Sequence, residues 1–149
     1  MMELTNIHVI KDLLERHGFH FSKAKGQNFL IAGWVPERIA EEAGVAQDVG
    51  VLEIGPGIGS LTQQLCLRAK KVCAVELDKR LAPILEQTVG EFQNLEIVWD
   101  DVLKQDIRYR MKTAFSAPRQ RWIWSAIWIV TTRCCFCSRA AEAPCLRSP

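Results

Sequence analysis

The sequence lacks the features that mark several common classes of protein. It has no apolar run near the roughly 20 residues that a membrane-spanning helix needs, because its longest run, from 122 to 130, is interrupted by Ser125. The first residues show no basic segment followed by an apolar one, so we expect no signal peptide. These absences favour a cytoplasmic protein with no membrane partner.

The chain has six cysteines and three histidines, which are common metal ligands, but they do not form a clear ligand pattern. Cys66 and Cys73 stand among apolar residues and are predicted to be core thiols. The cluster of Cys134, Cys135 and Cys137 has no second ligand pair and no histidine nearby. We therefore expect no metal site.

Charge divides the chain into two parts. Residues 1–107 hold 11 lysines and arginines against 16 acids, whereas residues 108–149 hold 8 against 1. The second part also contains three of the five tryptophans and four of the six cysteines. Such a shift marks a boundary, so we predict a domain over 1–107 and a basic, Trp- and Cys-rich tail over 108–149. Within the tail, the pattern allows short strands over 121–124 and 126–132.

The predicted domain alternates between helical and strand patterns. Apolar residues spaced for one helical face precede Gly18, and a basic loop follows from His20 to Asn28. The next predicted element is a helix with Pro36 in its first turn that runs through Ala43. The remaining ones are a strand over 49–54, a helix over 60–68, a strand over 71–76, a helix capped by Asp78 and a strand over 95–98. This order predicts a doubly wound α/β sheet.

A glycine-rich turn follows the first predicted strand, in the segment Glu53-Ile54-Gly55-Pro56-Gly57-Ile58-Gly59. Open α/β sheets bind ligands at the carboxyl ends of their strands, and glycine lets the backbone approach the ligand closely. Dinucleotide sites use Gly-x-Gly-x-x-Gly to seat a pyrophosphate. The spacing here, with an acid two residues before the first glycine, suits a cationic ligand without phosphates, such as S-adenosylmethionine. A tight turn without a ligand is the alternative.

Two further acids follow the next strands. Glu76, at the end of the second predicted strand, can accept both ribose hydroxyls of a nucleoside. Asp101 can accept from an adenine amino group, with the backbone N–H of Val102 beside it, although a helix cap is the simpler role. Because the carboxyl ends of parallel strands meet at one edge, these groups and the glycine turn predict a single site.

Four segments resemble, in order and spacing, the ribosomal RNA adenine N6-dimethyltransferases. They are Gly26-Gln27-Asn28-Phe29-Leu30, Glu53 to Thr62, Val75-Glu76-Leu77-Asp78 and Asp100-Asp101-Val102. The resemblance covers residues 5–107, and Phe21-Ser22-Lys23 is more similar to the branch that acts on small-subunit (16S) rRNA. It implies an α/β, Rossmann-like, S-adenosylmethionine-dependent methyltransferase fold that is incomplete on its C-terminal side.

The resemblance also implies partners and site residues. The partner would be small-subunit rRNA or an immature small ribosomal subunit, and the protein would be a monomer. The residues expected to bind S-adenosylmethionine are Gln27, Asn28, Leu30, Glu53, Gly55, Gly57, Glu76, Asp101 and Val102. Asn28 and Leu30 would face the methionine end of the cofactor. Lys23 and Lys25 could contact rRNA phosphates, and a solvated loop is an equal alternative for them.

The motif with which this family aims the target adenine, Asn-Leu-Pro-Tyr after the fourth strand, is not found. Ser116-Ala117-Pro118-Arg119 shares a serine and a proline with looser versions, and the family's helical C-terminal domain is missing too. Val130-Thr131-Thr132 resembles the Val-Thr-Thr-Pro that follows the motif, and another reading frame after it would encode an apolar run. We interpret the tail as frameshifted and the chain as a truncated copy, whose catalytic residues stay unassigned.

Two other functions stay open at this point. A nucleotide-dependent oxidoreductase would share the alternating strands and helices, although the glycine spacing argues against it. A non-catalytic fragment that docks on rRNA through its basic, tryptophan-bearing tail is the other alternative.

Overall fold

Four parallel strands form one sheet in the computed structural model, which describes residues 2–19, 32–106 and 121–123. In chain order the elements are α1 (Ile7–Arg16), α2 (Trp34–Glu42), β1 (Val49–Ile54), α3 (Ser60–Arg68), β2 (Lys71–Glu76), a 3-10 turn (Lys79–Leu81), α4 (Ala82–Val89), β3 (Leu95–Trp99), a second 3-10 turn (Val102–Lys104) and β4 (Arg121–Ile123).

The sheet has the strand order β3-β2-β1-β4, with parallel pairing throughout. The chain moves outward from β1 to β3 and then returns to the other side of β1, where β4 pairs with it. This reversal is a topological switch point, and open α/β sheets bind ligands at such a point, outside the carboxyl ends of the strands. The predicted doubly wound α/β sheet is confirmed.

Helices cover one face of this sheet. The register aligns Val51 with Val72 and Val72 with Leu95, and side chains alternate along a strand, so these three residues share a face. Over β1 and β2, this face packs against α2 and α3 in one apolar cluster. Over β3 it packs against α1 and α4 in a second cluster. The opposite face carries Leu52, Cys73, Val75 and Val98, all of which are buried.

Helix ends follow local sequence signals. The Asn6 side chain accepts a hydrogen bond from the His8 N–H at 3.0 Å at the start of α1, and Gly18 follows its end with a φ of +61°. Helix α2 begins at Trp34, so Pro36 lies in its first turn, as predicted, where a proline removes no intrahelical hydrogen bond. The described helices include none long and apolar enough to cross a membrane.

The region after β2 differs from the prediction. Asp78 was expected to cap an α-helix, but it caps the 3-10 turn from Lys79, where its side chain accepts from the Arg80 N–H at 3.2 Å. The helix α4 begins after that turn, and Pro83 stands in its first turn. Proline lacks a donor and favours the first helical positions, so it places the start of α4 there.

The other predictions for this part of the chain have varied outcomes. Cys66 and Cys73 are buried free thiols, as predicted. A strand occupies 121–123, within the predicted 121–124. The predicted strand over 126–132 and the loop from His20 to Asn28 lie outside the described residues. The domain boundary at 107 stays a prediction.

Gly59→Ala should lower the free energy of unfolding by roughly 2–4 kcal/mol. Gly59 has a φ of +91°, and a Cβ built on it would lie 2.8 Å from Cγ1 of Val89, so the change adds backbone strain and a clash with α4. Urea unfolding followed by circular dichroism measures the loss. Gly18→Ala is the matched control, since its φ is +61° but no heavy atom of the part of the chain that the structure describes lies within 4 Å of its Cβ position. Its expected loss is about 1 kcal/mol, and equal losses for the two variants would contradict the role of close packing.

Candidate functional site

The glycine-rich turn, Gly55 to Gly59, joins the carboxyl end of β1 to the amino end of α3. Its three glycines, at positions 55, 57 and 59, have φ angles of 73°, 61° and 91°, in a region that residues with a Cβ rarely adopt. Among the described residues, no heavy atom lies within 4 Å of the position that a Cβ on Gly55 would take. Gly55 therefore leaves its backbone accessible from this side at the carboxyl edge of the sheet, where a ligand can approach it closely.

Hydrogen bonds fix the helix that follows the turn at both ends. Near its start, Nε2 of Gln63 donates to the carbonyl of Thr88 in α4 at 3.0 Å. At its end, Nδ2 of Asn94 donates to the carbonyls of Cys66 and Ala69 at 2.8 and 3.0 Å, which satisfies acceptors that a helix end leaves open. The position of α3, and with it the turn, is set by α4 and by the residues that lead into β3.

Glu76 ends β2 and is almost completely buried beside the turn. Its Oε2 accepts from the Gly57 N–H at 3.3 Å, and its Oε1 accepts from the Asp78 N–H at 2.8 Å. A carboxylate offers about four acceptor positions, so lone pairs remain for further donors such as hydroxyls. Burial raises the pKa of Glu76, and the surrounding backbone N–H groups oppose that shift. The structure thus holds this carboxyl against the glycine turn.

Glu53, near the end of β1, is 2% exposed and lies on the same face as Glu76. The register aligns Glu53 with Ala74, and side chains two residues apart on a strand point the same way. Among the described residues, neither Oε2 of Glu53 nor the hydroxyl of Thr62 has a hydrogen-bond partner. Burial raises the pKa of Glu53 from 4.5 to about 7; the nearby Thr62 hydroxyl opposes this, and the charge of Glu76 adds to it. A buried acceptor is therefore left for a donor or a cation.

Asp101 has a structural role after β3. Its Oδ1 accepts from the Leu103 N–H at 3.0 Å and so caps the second 3-10 turn, which is the simpler role that the sequence allowed. Oδ1 of Asp100 accepts from the Asp101 N–H at 2.7 Å and supports this cap. Val102 is the first residue of the turn, and N–H groups at that position have no intrahelical partner. Adenine recognition by Asp101 and Val102 stays a prediction.

Two exposed leucines near these acids were not predicted as site residues. Leu77 directly follows Glu76 and is 68% exposed, and Leu103 lies in the turn after β3 and is 80% exposed. Both follow strands whose carboxyl ends share the edge with the glycine turn. Leucine side chains exposed at this edge can pack against the two faces of a flat aromatic ring. The signal available in the sequence was an apolar residue one or two positions after an acid that ends or follows a strand.

The structure brings together only part of the predicted set. Glu53, Gly55, Gly57, Glu76 and the turn with Asp101 and Val102 all follow or end strands at one edge. Lys23, Lys25, Gln27, Asn28 and Leu30 lie outside the described residues. Within 2–19, 32–106 and 121–123, no group of three or more potential ligands could hold a metal ion, and Cys134, Cys135 and Cys137 are not among those residues.

The strand order, the glycine turn after β1 and the acid that ends β2 define a class of protein. A structure of a candidate RNA methyltransferase from Pyrococcus horikoshii shares the fold, with a TM-score of 0.50 and 24% identity, over 71% of this chain and 54% of that one. The fold is that of the S-adenosylmethionine-dependent methyltransferases, as the sequence predicted.

Sequence comparison narrows this class to one family. The family model described as ribosomal RNA adenine dimethylase matches residues 18–127, so this chain belongs to that family. It is 51% identical to the ribosomal RNA small subunit methyltransferase A of Bacillus licheniformis, over 70% of this chain and 36% of that protein. The protein of the same name from Geobacillus thermodenitrificans is 45% identical, over 82% of this chain and 42% of its own length. The chain thus spans about two fifths of the length of these relatives. Because it belongs to this family, we set the oxidoreductase alternative aside.

Replacing Glu53 by glutamine should change how stability depends on pH. The pKa of Glu53 is raised in the folded protein, so the wild type loses stability as the pH rises from 4.5 to about 7. Glu53→Gln carries no such charge. The free energy of unfolding of the variant should therefore rise relative to that of the wild type over this range. Above it, the difference should stay constant, on the order of 3 kcal/mol.

Urea unfolding at a series of pH values measures this gap. Glu91→Gln is the control, because Glu91 is exposed in the turn after α4 and its replacement should follow the wild type throughout. A gap between wild type and Glu53→Gln that does not change with pH would show that the carboxyl ionises normally in the folded chain.

Proposed function

We propose that this chain binds S-adenosylmethionine and forms the cofactor-binding part of an rRNA adenine N6,N6-dimethyltransferase that acts on small-subunit rRNA. The observation that carries the proposal is the glycine turn with two buried carboxyls beside it, Glu53 and Glu76, in a chain of the ribosomal RNA adenine dimethylase family. Ribosomal RNA is the partner that the names of the relatives suggest. We place the protein in the cytoplasm, where ribosomal subunits are assembled in bacteria such as these relatives.

The residues present fit this cofactor. The open backbone of Gly55 gives the ligand close access, and the remaining lone pairs of Glu76 suit the two ribose hydroxyls. Leu77 and Leu103 would pack on the adenine. Oε2 of Glu53, which has no hydrogen-bond partner among the described residues, suits a cationic ligand. When bound, the cofactor supplies an activated methyl group on a sulfonium. The chain's own residues bind and orient it.

Family membership suggests further contacts, most of them from residues outside the described part of the chain. Asn28 and Leu30, with Gln27 beside them, would hold the methionine end of the cofactor. Lys23 and Lys25 would contact phosphates of the rRNA, whose negative charge attracts basic loops. Within the described residues, Asp101 and Val102 would hold the adenine edge, next to the cap at Asp101.

Methylation of an adenine amino group depends mainly on how the base and the methyl donor are oriented. The base must leave its stack, and its amino nitrogen must face the methyl group in line with the sulfur, so orientation provides most of the catalysis. The family assigns this task to an Asn-Leu-Pro-Tyr motif, which does not occur in the sequence. We therefore propose that this chain binds the cofactor without transferring its methyl group.

Glu76→Gln should weaken S-adenosylmethionine binding roughly 10- to 100-fold, because a charged acceptor for two hydroxyls becomes a neutral one. Titration calorimetry on the full chain measures the affinity. NAD should show no binding, and Glu91→Gln, in an exposed turn, should bind as the wild type does. Unchanged affinity in Glu76→Gln would remove Glu76 from the ribose site, and absence of any S-adenosylmethionine binding would refute the proposed function.

Incubation with undermethylated small ribosomal subunits and labelled S-adenosylmethionine tests the second part of the proposal. The chain alone should incorporate no methyl group above background, while a complete relative serves as the positive control. Incorporation by this chain would show that other residues aim the adenine. Sequencing of the coding DNA across codons 105–149 completes the test, because a single-base change that restores Asn-Leu-Pro-Tyr would explain the tail as a frameshift.

A further inference from the structure

The carboxyls of Glu53 and Glu76 share one face of the sheet, and neither forms an ion pair within the part of the chain that the structure describes. Both residues are buried, and Oε2 of Glu53 has no hydrogen-bond partner there. Three basic side chains of α3, β2 and the 3-10 turn after β2 form ion pairs with other acids. These pairs are Arg68 with Glu37 at 2.9 Å, Lys71 with Glu96 at 3.0 Å, and Arg80 with Asp78. Lys79 is exposed to solvent.

The other groups that face the two carboxyls are neutral or acidic. From α3 come the Thr62 hydroxyl and the Cys66 thiol, and burial together with Glu53 raises the pKa of that thiol to about 12, so it is uncharged. From the segment after β2 comes Asp78, whose charge raises the pKa of Glu76. Among the described residues, nothing that acts on the pair supplies compensating positive charge.

Two carboxylates in so dry a setting do not both ionise easily. Each charge loses hydration on burial, and like charges repel strongly where the effective dielectric constant is low. The backbone N–H groups of Gly57 and Asp78 stabilise charge on Glu76, whereas Glu53 lacks such donors at Oε2 among the described residues. Because Glu76 has these donors and Glu53 does not, the proton that burial favours lies on Glu53.

We propose that Glu53 holds a proton in the ligand-free protein and releases it to solvent when S-adenosylmethionine binds. The positive charge of the cofactor then replaces the proton in compensating the negative charge of the buried carboxylate. The inference rests on the proposed function and extends it to regulation of the same site. It also gives the site a basis for telling cofactor from product, because the sulfonium carries a charge that the thioether of S-adenosylhomocysteine lacks.

Calorimetric titration of the full chain with S-adenosylmethionine at pH 6 and pH 8 tests the proposal. Each pH is run in two buffers of different ionisation enthalpy, so that buffer-dependent heat reports the protons released. The dissociation constant should fall about tenfold from pH 6 to pH 8, with proton release at pH 6 and little at pH 8. S-adenosylhomocysteine should show a smaller change, and Glu91→Gln should behave as the wild type. In Glu53→Gln the pH dependence should largely disappear.

Infrared spectra keep the test independent of the variant's folding. In the wild type at pH 6, the carbonyl stretch of a protonated, buried carboxylic acid should be present and should vanish on addition of S-adenosylmethionine. Binding that is equal at pH 6 and 8 without buffer-dependent heat would overturn the proposal, as would an equal pH response to S-adenosylhomocysteine. If S-adenosylmethionine fails to bind at either pH, the proposed function itself fails, which is a separate outcome.

Discussion

The candidate site depends on the close approach of two helices at Gly59. Only a residue without a Cβ allows the amino end of α3 to lie against Val89 of α4, and that contact sets the direction in which the turn leaves β1. The hydrogen bond from Gln63 to the carbonyl of Thr88 holds the same approach one turn further along α3. With α3 fixed, the N–H of Gly57 reaches Glu76, so the packing of the two helices positions the donor that the carboxyl at the end of β2 accepts from.

Burial of the two carboxyls opposes the stability of the domain. Each carboxyl loses water on folding, and Glu53 receives no hydrogen bond at Oε2 from the described residues in return. An apolar residue at that position would pack with Val51 and Leu61 in the same layer of the core. Unfavourable burial of this kind concentrates at functional sites. The cost falls on the same residue whose charge would favour a cationic ligand.

The sequence was sufficient for the strands and the turn because their signals are local. Short apolar runs bounded by glycines and acids placed β1 and β2 at the residues where they occur, and the spacing of Gly55, Gly57 and Gly59 identified the turn. The burial of the Thr62 hydroxyl beside Glu53 and the exposure of Leu77 could not be predicted in this way. Both depend on which elements pack against these residues, and such packing joins segments that are distant in the chain.

The pairing of β4 with β1 has a consequence for the order in which the sheet assembles. Partners on β1 and β2, such as Val51 and Val72, are separated by one helix and its short connections, and the same holds for partners on β2 and β3. The segment between Val51 and its partner Ile123, in contrast, contains both of these connections. The loop that this pairing closes is roughly three times as long and costs about 1 kcal/mol more in closure entropy, and contacts between distant segments form slowly. We therefore expect the three strands that carry the glycine turn, Glu76 and Asp101 to assemble as an early folding unit, with β4 joining late, an order that pulsed hydrogen exchange during refolding can resolve.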